Sequence, residues 1–70
     1  MQIVFTQHAH DRIVKRKVDP FEVFEAIRRP DFIQKKHGKL FYRKTLPRGS
    51  VEICCILEGN ILKVLTLYWE

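Results

Sequence analysis

The 70-residue sequence is short of cysteine, glycine and proline and has a single serine, and each shortage removes a class of protein. Its two cysteines, Cys54 and Cys55, are neighbours. Adjacent strand residues point to opposite faces, so they are not expected to form an ordinary disulfide, and no third cysteine is present. Both thiols are expected to act as small buried hydrophobes in reducing surroundings. With no histidine at ligand spacing from them, they make no zinc site. The three glycines build no phosphate-binding loop, and neither His-Glu-x-x-His nor a magnesium-type carboxylate cluster occurs. Ser50 follows Pro47-Arg48-Gly49 in a turn, which argues against a serine triad. No metal or cofactor is therefore expected, and any catalysis must use His, Arg, Lys and Tyr. No apolar run nears the ~18 residues of a membrane span. Met1 to Thr6 lacks the basic region and long apolar stretch of a signal peptide, so a cytoplasmic location without membrane contact is expected.

What the sequence does have is positive charge, unevenly spread. The net charge is +5. No acidic residue lies between Ile33 and Val51, where Lys35, Lys36, Lys39, Arg43, Lys44 and Arg48 fall. Arg12, Lys15, Arg16 and Lys17 form a second group. Two such groups attract polyanions and raise their encounter rate, pointing to nucleic acid or an acidic protein as partner; a solvated face that keeps the chain soluble would have the same composition.

Residues 1–70 suffice for one domain, with a thin stability margin, because a chain this short buries only about 60% of its unfolded surface. Ile3 to Phe5 can form a short strand. Thr6 can cap a helix from about Gln7 to Lys17. Asp19-Pro20-Phe21-Glu22 is a helix start with a cap, a proline at the first position and a capping-box glutamate. Val23, Phe24 and Ile27 give the second helix an apolar face, and Pro30 closes it. Strands are expected over Phe32–Lys36, Lys39–Leu46, Val51–Leu57 and Ile61–Trp69, joined by turns at His37-Gly38, Pro47–Ser50 and Glu58–Asn60. The fold class is α+β: two N-terminal helices packed on one face of a three- to four-stranded antiparallel sheet. The last two strands are apolar on both faces, so the face left open by the helices needs a dimer mate or a ligand.

His8 and Arg12 stand one helical turn apart and project together. A histidine can take or give a proton near neutral pH, and an arginine beside it can hold a phosphate. Metal-free RNA cleavage needs both, to activate the ribose 2′-hydroxyl and to stabilise charge on phosphorus. The same spacing also serves a packing histidine and an arginine bound to sheet carbonyls. Arg43 and Lys44 face opposite ways on one strand, so one of them should reach the open sheet surface. Tyr68, near the end of the last strand, can stack on a base or give a proton, or simply pack.

His8-Ala9-x-x-Arg12, Arg16, Asp19-Pro20-Phe21-Glu22-Val23, Arg29-Pro30-Asp31 and the closing Val64-Leu65-Thr66-Leu67-Tyr68 together resemble domain-of-unknown-function family 4258. These are small proteins placed near the RelE/ParE-like toxins, and the likeness runs from about Phe5 to Trp69. The resemblance implies a RelE/ParE-like α+β fold and a toxin of a toxin–antitoxin system. Relatives in the wider superfamily include ribosome-dependent messenger-RNA endonucleases neutralised by small antitoxins. It places His8 and Arg12 on the family's His-Ala-x-x-Arg motif, Arg16 on its second basic position, and Tyr68 in its closing strand. The expected activity is RNA binding with metal-independent cleavage: His8, Arg12 and Tyr68 as the catalytic set, and Lys15, Arg16, Lys35, Lys36, Lys39, Arg43 and Lys44 on the nucleic acid. Expected partners are RNA or the ribosome and a small acidic antitoxin. The rival readings are a non-catalytic nucleic-acid or antitoxin binding module and a homodimer joined through the open sheet face.

Overall fold

Both helices begin where side-chain oxygens can satisfy the first backbone N–H groups. In the computed structural model, which describes residues 1–70, Thr6 caps α1 (Gln7–Lys15) by accepting from Ala9 N at 3.0 Å. Asp19 caps α2 (Pro20–Arg28), with Glu22 completing the capping box. α1 stops two residues short of the expected Lys17. Lys17 takes the left-handed conformation, φ 53°, and Lys17 N and Val18 N donate to the carbonyls of Val14 and Ile13. This Schellman closure satisfies the last carbonyls and buries Val18 under the turn.

Five strands follow the order β1-β5-β4-β3-β2: β1 (Gln2–Phe5), β2 (Phe32–Lys36), β3 (Lys39–Leu46), β4 (Gly49–Glu58) and β5 (Ile61–Trp69). β2 to β5 form an antiparallel meander. Its turns are two residues each. His37 and Gly38, both at positive φ, give the twist-matching turn between β2 and β3, and Gly59 at φ 60° opens the one between β4 and β5. The expected three- to four-stranded antiparallel sheet is thus corrected to a five-stranded mixed one, because β1 pairs parallel with β5, Gln2 opposite Ile61 through Phe5 opposite Val64. A pairing between segments so far apart in sequence uses no turn residues and leaves no local signal.

Both helices lie on one face, as the sequence predicts. The core joins Ala9, Val18, Val23, Ala26 and Ile27 to Tyr42, Val51, Ile53, Cys55, Leu62, Val64 and Leu67 of the sheet. Phe24, expected in that face, instead sits at its edge against Phe5, ring centroids 6.0 Å apart. Cys54 and Cys55 are free and buried, and burial pushes the Cys55 thiol up to about 12. No helix is long and apolar enough to cross a membrane.

One irregularity decides which β5 side chains meet the helices. Cys54 pairs with Thr66 and Cys55 with Val64, leaving Leu65 without a partner. This bulge makes Leu62 and Val64, and then Leu67 and Trp69, face the helices; strict alternation would have sent Thr66 and Tyr68 there. α1 docks on the bulge, where Thr6 Oγ1 donates to the Leu65 carbonyl at 3.1 Å and Thr6 N to that of Val64 at 3.1 Å. At the far end of β5, Trp69 Nε1 donates to the Arg16 carbonyl at 2.7 Å. The Arg48 guanidinium lies 5.0 Å from the centre of the Trp69 ring and donates to Lys17 O and Glu22 Oε1 at 2.8 and 2.6 Å. That contact holds the Glu22 carboxyl below its ordinary range and ties the β3–β4 turn to the interhelical loop.

Candidate nucleic-acid interface on the open sheet face

The strand registers assemble the open face in rows. Phe32, Arg43, Glu52 and Tyr68 stand directly opposite one another across β2, β3, β4 and β5. The next row is Gln34, Phe41, Cys54 and Thr66. Beside the β2–β3 turn, Lys36 stands opposite Lys39.

Glu52 is the centre of the first row and is only 8% exposed although no helix covers it. A carboxylate this buried needs partners on both oxygens. Tyr68 Oη donates to Glu52 Oε2 in a short hydrogen bond, and Arg43 Nη2 lies 3.4 Å from Oε1. Arg43 also stacks its guanidinium 5.8 Å from the centre of the Phe32 ring. Its Nε sits 2.5 Å from Glu70 Oε1, but the N–H is not aimed along that line, so the contact is an ion pair without a hydrogen bond. The Glu52 carboxylate, which prefers its neighbour un-ionised, and partial burial push the Tyr68 phenol up to about 12. Tyr68 therefore stays a donor at any ordinary pH.

Beside Glu52 lies a depression of about 220 Å³ lined by Gln34, Lys36, Phe41, Glu52 and Tyr68. The acceptor oxygens of Glu52, the two aromatic side chains and the Lys36 ammonium together form a surface that can hold a flat molecule bearing hydrogen-bond donors. Lys36 and Lys39 have no carboxylate within 4.0 Å, in contrast to Lys63, whose ammonium is 3.0 Å from Glu58.

No protein-family model, curated protein or solved structure matches the chain.

The geometry divides the residues singled out in the sequence into two sets. Of the pair Arg43 and Lys44, it is Arg43 that reaches the open face. Lys44 turns to the helix side, donates to Arg29 O at 2.7 Å and lies 3.7 Å from Asp31. Together with a bond from Thr45 N, which is the larger cause, it holds the Asp31 carboxyl below its ordinary range. Lys36 and Lys39 share the face of Arg43, while Lys35, opposite Leu40, belongs to the helix side. His8 and Arg12 do meet, Arg12 Nε donating to His8 Nε2 at 3.2 Å. The bond engages the His8 Nε2 lone pair that a general base would use. Lys15 ends α1 and Arg16 follows as its C-cap, both exposed. Tyr68, however, lies across the sheet from this helix, so His8, Arg12 and Tyr68 do not assemble as one catalytic set. The bulge at Leu65 is the physical reason.

Three residues of the site carried no weight in the sequence reading: Glu52, Phe41 and Gln34. Glu52 had a usable signal. A lone carboxylate inside the apolar run Val51–Leu57 must either break the strand or find donors on its neighbours.

Proposed function

We propose that this chain is an RNA-binding domain that holds single-stranded RNA against the open face of its sheet. Lys36 directly opposite Lys39 carries this reading. Like charges facing each other across a strand pair destabilise the sheet, and neither ammonium has an anionic partner in the protein, so a phosphate of the ligand supplies what is missing. Phe32, 51% exposed, and the partly exposed Phe41 and Tyr68 lie on the same face and offer rings on which bases stack. An obligate dimer interface resembles a core cut in half; a centre made of Glu52, Arg43 and Tyr68 suits a polar ligand better. The family resemblance agrees with RNA as ligand, and a small acidic antitoxin would compete for the same lysines. Cleavage by His8, Arg12 and Tyr68 acting together is not part of the proposal, since the sheet separates them.

The test is fluorescence anisotropy with labelled single-stranded RNA in EDTA over a range of salt concentrations. Replacing both lysines, Lys36→Ala with Lys39→Ala, is expected to weaken binding about tenfold and to flatten the log–log salt dependence by about 0.7 for each phosphate that is no longer neutralised. His8→Ala is expected to bind as the parent does. Salt-independent binding, or a double variant equal to the parent, refutes the proposal. Recovery of intact RNA is expected; a 2′,3′-cyclic phosphate product would restore the catalytic reading.

A further inference from the structure

The depression beside Glu52 has a chemistry more selective than a stacking surface requires. Non-selective binding needs rings and cations, and a buried carboxylate works against it by repelling phosphate. Glu52, at 8% exposure the most buried of the lining residues, nevertheless forms the floor, with half-buried Phe41 and Tyr68 and exposed Gln34 and Lys36 around it. Each carboxylate oxygen has two acceptor positions, and Tyr68 and Arg43 do not use all of them. The volume of about 220 Å³ is below the roughly 300–1,000 Å³ usual for drug-sized ligands, which suits one base with its sugar and phosphate outside.

The four RNA bases differ in what they can offer such a floor. Guanine alone presents two adjacent donors, N1–H and the N2 amino group, matched to the two oxygens of a carboxylate. Adenine and cytosine pair one amino donor with a ring acceptor that a carboxylate repels. Uracil sets its single N3–H between two carbonyls. Guanine also carries a carbonyl, O6, on the same edge, and the Gln34 amide and the Lys36 ammonium are the donors at the rim able to meet it. The phosphates on either side of an inserted base would run toward Lys36 and Lys39.

We propose that this depression is a guanine-selective subsite in which Glu52 accepts from the Watson–Crick edge of an unpaired guanine between Phe41 and Tyr68. The inference rests on the RNA-binding reading and adds to it the identity of one base. Tyr68 is a positioning residue here: its hydroxyl holds the Glu52 carboxylate in place through Oε2 while its ring forms a wall.

The experiment compares labelled heptaribonucleotides of uridine that differ only at the central position, with G, A, C, U or inosine there, at one fixed salt concentration in EDTA. The parent chain is expected to bind the G heptamer about tenfold or more tightly than the A, C and U heptamers, the range a bidentate base contact provides. Inosine keeps N1–H and O6 but lacks the N2 amino group, so its heptamer is expected between G and the rest. Glu52→Gln, with its fold checked by circular dichroism, is expected to abolish the G preference, read as the ratio of G-heptamer to all-U-heptamer affinity within that variant. Equal affinity for all five heptamers overturns the subsite while leaving RNA binding in place. A G preference that survives Glu52→Gln overturns the role of the carboxylate. Binding of none of the five overturns the RNA reading itself. The base series on the parent chain decides the matter even where Glu52→Gln does not fold.

Discussion

Removing one oxygen atom, by Tyr68→Phe, tests the central network directly. The ring and its packing stay, so the loss belongs to the hydroxyl that donates to Glu52 Oε2. A hydrogen bond to a charged partner contributes about 1.5–3 kcal/mol. Tyr68 is partly exposed and water can replace some of the bond, which puts the expected loss near the lower bound, about 1.5 kcal/mol. Against a total stability of roughly 3.5–10 kcal/mol for a chain of this length, that is a large fraction. The corresponding fall in Tm is about 6–12 °C. Urea unfolding followed by circular dichroism measures it, with Tyr42→Phe as the comparison. The Tyr42 hydroxyl donates to nothing in the protein although its ring is in the core, so its loss is expected to cost under about 0.5 kcal/mol. If the two variants lose equal stability, the Glu52–Tyr68 bond contributes nothing measurable and the rigid floor argued for the depression falls with it.

Two further outcomes follow from backbone and phenol chemistry. Lys17→Gly relieves a left-handed residue at the end of α1, φ 53°; set against the greater freedom glycine gives the unfolded chain, the net gain is expected to be about 0.5–1 kcal/mol in urea unfolding, and a loss of stability would contradict the Schellman closure. Tyrosinate absorbance at pH 10 should be well below that of the unfolded chain, because Tyr68 is pushed up to about 12, chiefly by its bond to Glu52, and Tyr42 is raised by burial. The folded state keeps the Tyr68 proton to higher pH than the unfolded state does, so this contribution is whole below about pH 10 and is lost as the pH rises toward 12. A folded chain half-ionised at pH 10 would refute both the bond and the burial.

What could be read from the sequence was whatever depends on neighbours in the chain. Asp19, Pro20 and Glu22 satisfy helix N–H groups within one turn, so cap and helix are visible together. His37-Gly38 between two alternating segments dictates a two-residue hairpin and hence the register that sets Lys36 against Lys39. The opposite facing of Arg43 and Lys44 follows from strand alternation alone. The site's composition was harder to see because it depends on register across four strands. Nothing near Leu65 announces a bulge, yet that one residue reverses the facing of everything after it and carries Tyr68 to Glu52 instead of to α1. Grouping His8, Arg12 and Tyr68 rested on their chemistry and on the family resemblance, neither of which carries the facing of Tyr68. The parallel partnership of β1 and β5 was hidden for a similar reason, since it joins residues with no common turn.

That partnership also orders the assembly of the fold in time. The meander from β2 to β4 closes through tight turns and can form from local contacts as the chain emerges. β1 and α1 are made earlier yet finish later, because the edge that β1 joins and the carbonyls of Val64 and Leu65 that receive Thr6 exist only once β5 is laid down. The loop that must close to bring them together spans most of the chain, and its entropy is lost before the pairing returns anything. Glu52 acquires Tyr68 in the same step. The open face thus gains its central hydrogen bond only when the last strand docks, and a nascent chain stalled before Ile61 has the lysines and Glu52 of the site without the tyrosine that holds that carboxylate.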